Sequence, residues 1–158
     1  MTTTTAAAIR PLKRDDAPTL AAIDAAHTGI DKAEWWRDTV ARHLKRSPGS
    51  RRVGLVAEVD GEVVGYLLGQ VREFEFGSEP CGWIFAVGVR DDHLRRGVAR
   101  ALLDESRARF SEAGVRLLRT MTRKDDVPTL TFFRSAGFEA GPYVELELPI
   151  GDDQGESR

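Results

Sequence analysis

The sequence predicts an α/β fold built on a mixed sheet, antiparallel in its first half, with helices on both faces. Three observations carry this reading. Asp60-Gly61 stands between two apolar-rich runs, 53–59 and 63–71, and is the strongest short hairpin signal in the chain. Trp83 to Val89 is a nearly continuous apolar run, the mark of a central strand covered on both faces. Segments of helical period lie before and after this strand-rich stretch.

The elements follow in order. Ile9 to Leu12 is a short first strand. Asp15 or Asp16 caps the next helix, with Pro18 in its first turn. Leu20, Ile23 and His27 share one face of it, and Gly29 ends it. Asp31 caps a second helix, where Trp36, Val40 and Leu44 recur every four residues until Pro48-Gly49. The hairpin strands and the central strand come next, separated by the mixed stretch Arg72 to Pro80. A helix from about Arg96 to Ala113 buries Ala99, Leu103, Ser106 and Phe110, and Gly114 closes it. Leu117 to Thr122 is a further strand. Asp126 caps a last helix that Gly137 ends, and Phe138 and Tyr143 to Leu148 supply final strand material. Residues 1–8 read as a frayed leader without signal-peptide character, 9–149 as a single domain and 150–158 as a loose tail.

Composition excludes several classes. A chain of 158 residues builds one core without staples. Lys and Arg number 23 against 25 Asp and Glu, a net charge of −2 that lacks the footprint of a nucleic-acid binder. No run approaches the length of a membrane-spanning helix, so no membrane partner is expected. The single cysteine, Cys81, forbids an internal disulfide and points to a reducing, cytoplasmic setting. With His27, His43 and His93 widely spaced, no zinc pattern arises and no metal is expected.

The most informative segment is Val87 to Leu103. A buried strand ends at Val89, an Arg- and Asp-rich turn follows, and a helix opens near Arg96-Gly97. Free N–H groups and the positive helix end make such a start an anion site suited to a pyrophosphate. Arg95, Arg96 and Arg100 add positive charge. The same residues also suit an ordinary strand-to-helix corner with a solvated basic face.

The run Leu94-Arg95-Arg96-Gly97-Val98-Ala99, followed by Leu102-Leu103, resembles the acetyl-coenzyme-A signature Q/R-x-x-G-x-G/A of the GNAT N-acetyltransferase superfamily, with Leu94 in place of Gln or Arg. Asp126, Thr129, Phe133, Gly137 and Phe138 fall on the family's second motif, N-x-x-A-x-x-x-Y-x-x-x-G-F. The resemblance covers about residues 9–149. It implies a sheet of six to seven strands with about four helices, splayed beyond Val89, where acetyl-CoA enters as co-substrate. It also implies that main-chain groups of Val87, Gly88 and Val89 meet the acetyl and pantetheine arm. Arg95, Arg96, Gly97, Val98, Ala99 and Arg100 would hold the pyrophosphate. Asp126 and Phe133 would stand beside the arm, at the family's Asn and Tyr positions.

The resemblance also marks three acid/base positions that are apolar here: Phe133 for the usual Tyr acid, and Trp83 and Met121 where some members carry a Glu. Transfer still requires an oxyanion donor, which a main-chain N–H near Val89 can supply, and a group that deprotonates the amine. Thiolate leaves tolerably without an acid. Glu73, Glu75 and Glu79 are the substitute bases, Tyr143 a candidate acid, and Trp35 or Trp36 a candidate pocket wall. The leading reading is acetyl transfer to a primary amine in a ternary complex. The acceptor is a small molecule, a lysine side chain or a protein N-terminus, and the acidic stretch favours a cationic one. A homodimer is also allowed for. The rival reading is a non-catalytic acyl-CoA-binding or sensing module on the same fold.

Overall fold

Asp60 and Gly61 both take left-handed backbone, φ 52° and 79°. A two-residue type I′ turn requires this, and it joins β2 (Arg52–Val59) to β3 (Glu62–Arg72). The computed structural model describes residues 5–46, 49 and 51–151. Five strands form one sheet in chain order. β1 (Ala8–Pro11) pairs with β2, β2 with β3, and β3 with β4 (Cys81–Val89), all antiparallel. β5 (Leu118–Thr120) runs parallel to β4 after the crossover through α3 (Val98–Glu112).

The two faces are covered differently. α1 (Ala17–Thr28) and α2 (Ala33–Leu44) bury Leu20, Ile23, Trp36 and Val40 with Leu12, Val56, Tyr66 and Leu68 of the first face. Gly29 ends α1 in left-handed backbone, and Asp31 accepts the Ala33 N–H at 3.0 Å. α3 lies on the opposite face. Its Val98 and Leu102 occupy the space over Gly65, and its Phe110 the space over Gly69 and Gly82. Side chains at those three positions would push the helix off the sheet.

The chain divides into two compact units, one to Met121 and one from Thr122. In the second, Asp126 caps α4 (Val127–Ser135) by accepting the Thr129 N–H at 3.2 Å. Phe133 is buried, edge-on to Phe132 at 5.1 Å and to Phe138 at 5.0 Å.

Several expectations need correction. The sheet has five strands among the described residues rather than six or seven. Neither Phe138 nor Tyr143–Leu148 is a strand there, although Val144, Leu146 and Leu148 do alternate with Glu145 and Glu147. An alternating pattern states which face needs cover and does not supply a neighbour to hydrogen-bond. Asp16 makes no side-chain cap on α1; it accepts from the Lys13 N–H at 2.7 Å and from Arg10 instead. The helix start at Arg96 moves to Val98, because Gly97 is the left-handed residue before the first turn. Pro48, residues 1–4 of the leader and residues 152–158 of the tail lie outside the described residues.

Candidate cofactor and acceptor site

The site begins with a fault in the sheet. The β3–β4 register passes from Leu68↔Ala86 to Gly69↔Ile84, which leaves Phe85 as an extra residue. The bulge switches the side to which β4 directs its main chain. Before it, Gly82 donates to Leu117 at 2.8 Å and Ile84 pairs with Thr120, so even-numbered residues face β5. After it, Arg90 donates to Val64 at 2.8 Å, so residues 86, 88 and 90 face β3. Val87 and Val89 therefore turn their N–H and C=O groups outward, past the point where the ladder to β5 stops.

The stop is enforced locally. The Thr120 hydroxyl donates to the Ile84 carbonyl at 3.0 Å and closes the last rung. Farther along, His27 of α1 reaches the Val89 carbonyl with Nε2 at 2.7 Å. A carbonyl only accepts, so Nε2 carries the proton there. The groups left outward are the N–H and C=O of Val87 and the N–H of Val89. Their spacing along an extended strand suits an amide-bearing arm laid antiparallel or parallel to β4. Gly88 spends its main chain on β3, and its missing side chain matters on the α1/α2 face. A Cβ there would stand 2.6 Å from the Tyr66 hydroxyl. Burial, and then the charge of Asp24, push that hydroxyl's pKa well up, so it stays protonated.

The turn after β4 carries the anion-binding elements. Arg95 and Gly97 take positive φ, 61° and 79°, and curl the main chain inward ahead of α3. The first helical bond runs from Ala101 to the Gly97 carbonyl at 3.0 Å. The N–H groups of Val98, Ala99 and Arg100 thus have no acceptor within the helix. Val98 packs its side chain onto the sheet, whereas Arg95 and Arg96 are exposed. Arg100 is drawn along the helix to Asp104 at 3.2 Å. The nearby carboxylate of Asp92 is held well below the usual range by Arg90 and then His93, and its charge is spent on them.

The acid/base candidates each have surroundings of their own. Glu73 is ion-paired with Arg51 and Glu75 with Arg72. Glu79 is exposed and has no ion pair among the described residues. Trp83 is half-buried, with the Arg72 guanidinium 4.8 Å over its ring. Met121 is exposed. Cys81 is buried, as an inert thiol would be. Trp36 is core and Trp35 is exposed. Tyr143, Asp126 and Phe133 belong to the second unit, where Tyr143 is exposed. Two positioning features escaped the sequence reading: the bulge at Phe85 and the His27 bond to Val89. His27 shares a face with Leu20 and Ile23, which was the available signal; the bulge leaves no local signature in an unbroken apolar run.

Among the described residues, no group of three His, Cys, Asp or Glu side chains is placed to hold a metal ion, and no helix is long and apolar enough to cross a membrane. Comparison with known proteins gives a consistent picture. Residues 12–138 match the acetyltransferase (GNAT) family. The chain is 25% identical over 122 residues to an acetyltransferase of Pectobacterium atrosepticum, covering 75% of this chain and 80% of the relative. In fold it is similar to the aminoglycoside N-acetyltransferase AAC(6')-Iy in complex with CoA (TM-score 0.80, 16% identity, 94% of this chain and 98% of that one). It is also similar to an aminoglycoside acetyltransferase from an uncultured soil sample in complex with sisomicin (TM-score 0.71, 21% identity, 92% and 97%).

Proposed function

The chain belongs to the acetyltransferase (GNAT) family, and from that premise we propose that it transfers an acetyl group from acetyl-CoA to a primary amine, directly, in a ternary complex. The observation that carries this reading is the outward-facing main chain of Val87 and Val89 beside the free N–H groups at the start of α3. A carbonyl-bearing arm fits the first and a pyrophosphate fits the second. The bound acetyl-CoA supplies an activated thioester. Val87 or Val89 donates its N–H to the oxyanion. Glu79 or water takes the ammonium proton, since Glu73 and Glu75 are engaged by arginines. The CoA complex of one structural neighbour and the sisomicin complex of another support the cofactor and a small-molecule amine.

Calorimetric titration tests the cofactor half. Acetyl-CoA is expected to bind in the micromolar range and ATP much more weakly; no heat from acetyl-CoA at about 1 mM overturns the reading. A sensing module remains the second reading, favoured by the apolar residues Trp83, Met121 and Phe133 at acid/base positions. Saturable acetylation of any amine in a panel removes it.

We also propose that residues 9–149 act as one domain, since the family match spans both units, and that the protein works in the cytoplasm as a homodimer. Val144, Leu146, Leu148 and Ile150 are between 80% and 94% exposed on a segment in no ladder. An alternating apolar segment outside any ladder invites pairing with a second chain. Light scattering should give twice the 17.5 kDa chain mass, and Leu146→Glu with Leu148→Glu should return it to the monomer. A wild-type monomer at about 100 μM rejects the dimer.

A further inference from the structure

The end of β4 opposite the α3 turn has a chemistry of its own. The loop from β3 to β4 carries Phe74 and Phe76, 74% and 85% exposed. Both hold left-handed backbone, φ 57° and 53°, which a bulky aromatic residue rarely adopts. Neither ring returns the cost by burial in the protein. Strained backbone presenting exposed aromatic rings is the pattern of a contact surface awaiting its occupant.

Two further aromatic residues, Trp83 and Phe85, follow this loop on β4 up to the bulge. Gly82 faces Phe110 of α3, so Trp83, the next residue, points to the opposite, α1/α2 face. Phe85, the bulged residue, lies on the same face with its ring 5.9 Å from that of His43 on α2. Both remain partly exposed. The ladder to β5 closes at Ile84, so an arm lying along Val89 and Val87 ends beside Phe85. α3 fills the other face, and an acceptor therefore approaches across Phe85 and Trp83, from the side of the loop.

Charge decides the class of acceptor. The loop is acidic in sequence, but Glu73 is matched by Arg51 and Glu75 by Arg72. Arg119, the ladder partner of Trp83, donates to the Ser78 hydroxyl of the same loop. His43 is held towards its neutral form, chiefly by burial. Two of the loop's three glutamates are thus ion-paired and Arg119 adds a third positive charge at Ser78, so the surface has no excess of negative charge with which to gather a polycation.

We propose that the acceptor is a monoamine bearing an aromatic or similarly flat apolar group, held by Phe74 and Phe76 against Trp83 and Phe85. The proposal rests on the acetyl-transfer reading and narrows its substrate. It also reverses the expectation of a cationic acceptor that the glutamates alone gave. Ring-on-ring contact supplies the affinity. The amine end lies toward the bulge, where the outward N–H groups begin.

The test compares 2-phenylethylamine and tryptamine with spermidine and sisomicin, following release of the CoA thiol at saturating acetyl-CoA. The aromatic monoamines should be preferred in kcat/KM by about tenfold or more. Phe76→Ala and Phe74→Ala should each raise the amine KM by about fivefold or more, with acetyl-CoA KM and Tm unchanged. Both side chains are exposed, so the fold survives their removal. Preference for spermidine or sisomicin overturns this proposal and leaves acetyl transfer standing, as does an unchanged amine KM in both variants. No turnover with any amine, despite acetyl-CoA binding, overturns the transferase reading and this one with it.

Discussion

Val87→Pro should lower kcat/KM by about 10²–10³-fold while the protein stays folded. Proline removes one N–H and normally breaks a central strand. At Val87 the N–H faces away from β3, because Arg90 bonds to Val64 and residues 86 and 88 share that side. The β3 ladder therefore loses nothing. Ala86 precedes it in extended backbone, the conformation that a following proline favours. What disappears is a donor on the open edge of β4. Val87→Ala keeps that donor and trims only the side chain, so it should retain activity within about threefold. Equal activity in both variants means this edge holds no part of the cofactor. Equal loss in both means the side chain, rather than the N–H, matters.

The contrast between those two variants rests on a feature that no reading of the chain supplied. The strand itself was legible, because Trp83 to Val89 is apolar on both faces. The α3 start was legible to within two residues, and Gly97, free to take φ 79° without strain, sets it at Val98. The bulge was not. It belongs to the register that β3 and β4 settle between them, a tertiary matter, with Phe110 of α3 packed over Gly69 and Gly82 beside the shift. The ion pair of Glu73 was hidden for a related reason. A carboxylate in a loop looks available until the partner arrives from far along the chain, and Arg51 lies 22 residues away. The final strand failed because a period-2 pattern specifies a face and not its neighbour. Registers and ion pairs between distant segments are non-local, so they are read from the fold; hairpin turns and helix faces are local, so they are read from the chain.

Trp36 and Trp35 stand side by side in sequence, and one substitution at each should separate packing from surface. Trp36→Ala should cost about 3–5 kcal/mol. The ring is 2% exposed, lies edge-on to Tyr66 at 5.0 Å, and donates from Nε1 to Asp24 at 2.9 Å. Lys32 binds the same Asp24 oxygen at 2.7 Å. Removing the indole opens a cavity and leaves the Asp24 carboxylate one donor short. Trp36→Phe keeps most of the ring volume and should cost about 1–2 kcal/mol, most of it the lost hydrogen bond. Trp35→Ala should change stability by no more than about 0.5–1 kcal/mol, because that ring is exposed. The loss at Trp36 should also reach the reaction. Tyr66 is wedged between Trp36 and the bare face of Gly88, so loosening it releases β4 beside the outward N–H groups. Activity at 25 °C in Trp36→Ala should therefore fall further than the unfolded fraction from a denaturant titration accounts for. A fall that merely tracks that fraction would confine Trp36 to the core and detach Tyr66 from the site.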